Sequence, residues 1–191
     1  AKELTQENYC CENASATGFS RGVDSFDTIC SLSENSTEKL SHLTFFNVGS
    51  HRSTANYTPE QSAELYENRL EIAKESAKIF DMPLIDINSN LGEHLTLPYV
   101  KVHHYCSFSA VLCMQKFFKN YYYASGYPIS SFSIKQCDTG SAHYEAFTAS
   151  MLSTESTNFY ITGLEKTRLE KVDFISKFPI TYDNLNVCYY G

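Results

Sequence analysis

The sequence predicts an α/β protein with a doubly wound, mostly parallel five-stranded sheet. Three observations lead there. Short runs of small or apolar residues at 15–20, 43–48, 83–88, 129–134 and 159–163 alternate with longer segments of helical periodicity, the pattern of βαβ units. Polar or glycine- and proline-containing stretches such as Gly49-Ser50 and Gly126-Tyr127-Pro128 separate many of them. With 191 residues, 42% hydrophobic and 19% charged, the chain is an ordinary globular one that buries a core as a single domain.

Residues 1–14 are polar and read as a leader to one domain over 15–191. Strand one covers 15–20. Helix one covers 23–33, with Val23, Phe26, Ile29 and Cys30 recurring at helical spacing. A polar loop continues to Ser41. Strand two is 43–48 and a polar connection follows at 51–58. Thr58-Pro59-Glu60-Gln61 combines an N-cap threonine, a first-turn proline and an acid, so it starts a helix. That helix runs to Phe80, with Leu70, Ala73, Ala77 and Phe80 on one face and Glu71, Lys74, Glu75 and Lys78 largely on the other. Strand three is 83–88 and an irregular stretch spans 91–102. Residues 105–123 read as a long helix that is apolar around much of its girth, as a buried helix or a homodimer interface would be. Strand four is 129–134, a helix follows at 141–152, strand five is 159–163 and the last helix is 167–178. There is no internal repeat or low-complexity tract.

The chemistry concentrates where strand one meets helix one. A helix N-terminus offers unpaired N–H groups and partial positive charge to an anion. Gly22 permits close backbone approach, and Ser20 and Ser25 bring hydroxyl donors. In a doubly wound sheet this loop lies at the ligand-binding edge. Ser20-Arg21-Gly22-Val23-Asp24-Ser25 resembles the Ser-Gly-Gly-x-Asp-Ser signature of the PP-loop ATP pyrophosphatases. That superfamily includes the asparagine synthetase C-domain, the preQ0 synthases and the tRNA lysidine and thiolation enzymes. Five of the six positions fit, and the departure is Arg21 in place of glycine. It either supplies a phosphate-binding guanidinium or blocks the pyrophosphate pocket. The layout of most of the chain agrees with this superfamily, while the sequence is specific only at 20–25.

The resemblance implies a Rossmann-like, adenine nucleotide alpha-hydrolase fold that uses ATP and Mg2+. A substrate oxygen would attack the α-phosphate, and an amine, ammonia or a sulfur donor would open the adenylate. Ser20, Arg21, Gly22, Val23, Asp24 and Ser25 would hold the pyrophosphate, with Asp24 and Ser25 as the catalytic pair. Asn47 and Val48, at the end of strand two, would hold the adenine. The stretch 136–145 is reminiscent of the family's Thr-Gly-His-x-x-Asp, with two extra residues before the histidine. There Asp138, His143 and Glu145 would bind a magnesium-bound phosphate or orient the substrate. The alternative is a degenerate relative that binds a nucleotide or partner without turnover, and Arg21 favours it.

A formal net charge of −7 argues against a general nucleic-acid surface and for a small-molecule substrate or carrier. No apolar run approaches the ~20 residues of a membrane span. Seven cysteines in an odd count, without CxxC or zinc spacing, point to a reducing, cytoplasmic setting. A metal-binding tail beginning at Cys188, like the one closing the preQ0 synthases, would need further cysteines. His103-His104-Tyr105-Cys106 is a second cluster, in which Cys106 is a candidate thiol nucleophile and the adjacent histidines would point to opposite faces of a strand.

Overall fold

The structure is a computed structural model, and it describes residues 13–35, 37–50, 58–136 and 140–186. Asp138, Cys188, the Cys10-Cys11 pair and nearly all of the leader lie outside the described residues. The elements, in order, are β1 (Ala14–Gly18), α1 (Val23–Glu34), β2 (His42–Asn47), α2 (Pro59–Lys78), β3 (Leu84–Asn88), α3 (Leu91–His94), α4 (His103–Cys113), β4 (Phe118–Ala124), α5 (Glu145–Leu152), β5 (Asn158–Thr162) and α6 (Arg168–Ile175). Single 3-10 turns at Tyr99–Lys101, Ile129–Ser131, Ile134–Gln136, Ser141–Tyr144 and Pro179–Thr181 join them.

All five strands are parallel, in the order β3-β2-β1-β4-β5. The chain winds from β1 outward to β3, then crosses to β4 on the other side of β1. The winding therefore reverses between β1 and β4, and a crevice opens there at the carboxyl ends of the strands. Hydroxyls tie this seam. Thr17 Oγ1 donates to the Tyr122 carbonyl at 2.7 Å, and Thr44 Oγ1 lies 2.8 Å from Tyr121 Oη.

Helices cover both faces. On one, Phe19, Val23, Phe26, Ile29, Leu43, Phe45, Tyr66, Leu70, Ala73, Ala77 and Ile175 form a core from β2, α1, α2 and α6. Leu70, Ala73 and Ala77 lie on the face of α2 that periodicity assigns to the core. On the other, Ala14, Ala16, Phe108, Val111, Phe118, Tyr121, Ala149 and Phe159 unite β1, β4 and β5 with α4 and α5. The small β1 residues leave room for the aromatic rings of Phe108, Phe118 and Phe159. Thr58 closes a reciprocal capping box with Gln61 ahead of Pro59, the start that the sequence prescribes.

Two predicted elements are corrected. Residues 105–123 are not one helix: α4 ends at Cys113, a turn follows, and β4 begins at Phe118. A central parallel strand is buried on both faces, so Phe118, Tyr121 and Tyr122 all sit inside and lack strand alternation. No glycine or proline marks the turn at 114–117. Phe108, Val111, Phe118 and Tyr121 are buried within the chain, whereas Tyr105 is exposed. Residues 129–134 are not a strand but 3-10 turns. Pro128 fixes the backbone (φ −69°), the Ile129 N–H donates to the Leu164 carbonyl, and Ile129, Phe132 and Ile134 are exposed. Strand four is thus 118–124. No helix among the described residues is long and apolar enough to cross a membrane.

His103 and His104 open α4 rather than lying in a strand. His103 Nδ1 meets Ser141 Oγ at 2.8 Å. His104 is fully buried beside Tyr105, Phe108 and Tyr144, and neither ring nitrogen has a hydrogen-bond partner among the described residues. Burial, with His103 nearby, pushes its pKa down to about 3 from 6.5. The unfolded chain therefore takes up a proton below pH 6.5 that the folded one refuses. Stability is lost as pH falls from 6.5 toward 3, by up to about 1.4 kcal/mol per pH unit. His104→Phe removes this loss: urea denaturation at pH 7 and pH 5 should show the variant gaining about 2 kcal/mol on the wild type at the lower pH.

Candidate functional site

The crevice between β1 and β4 is a cleft of about 430 Å³. The loop after β1 and the first turn of α1 form its floor: Ser20, Arg21, Gly22, Asp24 and Ser25 all line it. Gly22 is the N-cap (φ −81°, ψ 169°), and no side chain caps the helix. The N–H groups of the first turn are thus left for a ligand, and the helix dipole adds to their attraction for an anion. Ser20 Oγ accepts from the Gly22 N–H at 3.3 Å. Ser25 Oγ donates to the Gly22 carbonyl at 2.9 Å, bracing the turn. Val23 points the other way, into the core, and contributes only backbone.

Arg21 adopts a left-handed backbone (φ +62°), the conformation that glycine takes without strain and that costs another residue about 1 kcal/mol or more. Its Nε donates to the Asn184 carbonyl at 3.0 Å, and burial lowers the pKa of its guanidinium.

Asp24 is the sole carboxylate among the described residues lining the cleft, and α6 holds it. Arg168 Nη1 meets Oδ2 at 2.5 Å and Lys171 Nζ meets Oδ1 at 3.1 Å. The Lys171 side chain is only 2% exposed and also donates to the Ser125 carbonyl at the end of β4. A second pair lies one turn along α1: Lys166 Nζ contacts Asp27 at 2.7 Å and Ser31 Oγ at 2.9 Å and sits 4.0 Å from the centre of the Phe174 ring. Burial raises the Asp27 carboxyl, while Lys166 opposes that. Gly163 (φ +72°) fits between the pairs: a Cβ there would come within 2.9 Å of Asp27 Oδ2 and of Lys171 Cε and Nζ.

Three arginines from separate elements, Arg21, Arg69 and Arg168, line the cleft, and Tyr99, Tyr121 and Tyr123 add aromatic wall. The other predicted residues lie elsewhere. Asn47 Nδ2 donates to Asn88 Oδ1 at 2.8 Å and faces a neighbouring cavity of about 350 Å³ beyond β2 and β3. Val48 is buried with Cys106 and Ala110. Burial raises the Cys106 thiol, which deprives it of the thiolate a nucleophile needs. His143 stacks on Tyr127 (4.7 Å between centroids) and contacts the Ser131 carbonyl, outside the cleft lining. Glu145 is 1% exposed and lies behind the cleft wall. Burial pushes its carboxyl up to about 7, with the nearby Lys171 ammonium working against the shift, and neither carboxyl oxygen has a hydrogen-bond partner among the described residues.

Sequence reasoning missed Arg168 and Lys171. The signal was present: Thr167-x-x-Glu170 before an apolar run is a capping box, so the helix after strand five starts at the ligand-binding edge. Two cations within its first four residues oppose the helix dipole and need an anionic partner.

The sequence matches no family model and no curated protein. Among solved structures, the U34-tRNA thiolase NcsA from Methanococcus maripaludis, with its [4Fe-4S] cluster, superposes with a TM-score of 0.52 at 13% identity. The alignment covers 98% of this chain and 63% of the thiolase chain, so this chain spans under two thirds of that protein. The likeness establishes the Rossmann-like α/β fold. No group of three or more His, Cys, Asp or Glu residues that could hold a metal occurs among the described residues, and Cys30, Cys106 and Cys113 are spread over α1 and α4. These residues do not fit such a cluster.

Gly163→Ala should destabilise the protein by about 2 kcal/mol or more in chemical denaturation, because strain and displaced ion pairs add. For Glu145, the folded chain keeps a proton between pH 4.5 and 7 that the unfolded chain has released. The Glu145 contribution to stability should therefore fall by up to about 3 kcal/mol as pH rises through that window, opposite in sign to that of His104. Glu145→Gln should gain stability relative to the wild type as pH rises from 4.5 to 7, measured as the difference between their denaturation midpoints against pH.

Proposed function

We propose that the chain binds ATP in the β1–β4 cleft and adenylates a substrate with release of pyrophosphate, and that the adenylate is then opened in thiolation- or amidation-type chemistry. The observation that carries this reading is an uncapped helix N-terminus and three arginines converging on one cleft at the switch point, in a chain whose net charge is −7. The motif at 20–25 and the fold shared with a tRNA thiolase support it.

In this reading a substrate oxygen forms a bond to the α-phosphorus as the bridging oxygen to the β-phosphorus departs with its electron pair. The first-turn N–H groups of α1, the Ser20 hydroxyl and Arg168 hold the departing pyrophosphate, so developing charge meets donors already in place. Asp24 stays oriented by Lys171 from beneath. Mg2+ would be carried on the phosphates beside Asp24, the sole carboxylate among the described residues lining the cleft, and when bound it would neutralise leaving-group charge. The net acidity favours a small-molecule or carrier substrate over a nucleic acid.

Arg21 favours a second reading, a nucleotide-binding domain without turnover, because its side chain is already engaged by Asn184. Titration calorimetry with Mg-ATP and with pyrophosphate tests the site itself. Both should bind the wild type, and Arg168→Ala should weaken each roughly tenfold, or about 1.4 kcal/mol. Absence of binding by the folded wild type would overturn both readings.

A further inference from the structure

Residues 184–186 cross the rim of the phosphate loop, and Arg21 grips them twice. Its Nε donates to the Asn184 carbonyl at 3.0 Å, and its own carbonyl accepts from the Asn186 N–H at 2.8 Å. Asn186 lines the cleft together with Arg21. At its base the segment is anchored independently. Thr181 is buried and donates to the Ile175 and Phe178 carbonyls. The Leu185 N–H donates to the Thr181 carbonyl, and the Leu185 side chain packs against the core beneath α1. The segment is therefore held by α6 at one end and by the phosphate loop at the other, with Arg21 the fastener at the loop. A glycine at 21 would relieve the left-handed backbone and keep the carbonyl, yet it would lose the guanidinium contact.

We propose that Arg21 is a positioning residue: it fastens residues 184–186 over the phosphate loop as a wall of the nucleotide cleft, so that docking of this segment and occupancy of the cleft reinforce each other. By linkage, whatever factor a ligand adds to the docking of the segment, the docked segment adds to the affinity for that ligand. The coupling rests on the nucleotide reading above. The fastening does not.

Hydrogen exchange at the Asn186 amide, followed by NMR in wild type, Arg21→Gly and Arg21→Lys, tests it. The Phe26 amide within α1 serves as control, and Mg-ATP affinity is measured on the same samples. Arg21→Gly suits the backbone and folds. Its Asn186 amide should exchange at least tenfold faster without ligand, with Phe26 unchanged, and its Mg-ATP affinity should drop several-fold. Arg21→Lys, which keeps a cationic donor, should restore part of both. Unchanged exchange in Arg21→Gly would overturn the fastening, because Leu185 and Thr181 would then hold the segment alone. Faster exchange with equal or tighter Mg-ATP binding would overturn the wall and make Arg21 an obstruction. If the wild type binds no Mg-ATP, the nucleotide reading and the coupling fall, and the exchange data still decide the fastening.

Discussion

A buried ammonium must be answered by anions, and Lys171 is one. Removing a charge from water costs several kcal/mol unless partners surround it. Its neighbours are arranged to do so: Asp24 from α1 supplies the anion, and the Ser125 carbonyl at the end of β4 supplies a further acceptor. Gly163 is bare because the ammonium passes within a Cβ radius of it. The residue that orients the candidate phosphate site is thus held by the group that locks α6 to α1. Site geometry and helix packing are one constraint.

The sheet order gives that constraint its location. Reversal of winding between β1 and β4 splays the connections apart at one point only, and the loop of β1, the end of β4 and the start of α6 all meet there. The same crossing places β4 inside the sheet, between β1 and β5, where it is covered on both faces. Its Tyr121 and Tyr123 extend from the core to the cleft wall.

Much of this was legible in the residues. The capped start at Thr58, the apolar stripe on α2 and the glycine loop before α1 are local signals, and the structure keeps them. β4 was not legible as a strand. Phe118, Tyr121, Tyr122 and Tyr123 put aromatic rings on both sides because the strand is interior, and such a run has neither the period of a strand nor a breaker to separate it from α4. At the site, the floor is contiguous in sequence and could be read. Arg69, Tyr99 and Asn186 reach the cleft only through folding, and spacing carries no trace of that. Glu145 was picked out by motif, yet it stands behind the wall beside Lys171, a distinction that only side-chain packing makes.

The arginine-lined cleft has a kinetic side as well. On a body of net charge −7, Arg21, Arg69 and Arg168 make a small basin of opposite sign. Over about 8–10 Å, the reach of a charge at physiological salt, a small anion arriving at the mouth feels the basin more than the body and is drawn in. On the ATP reading proposed above, a basin of this kind in a net acidic body would favour a compact phosphate over a long polyanion before any hydrogen bond is formed.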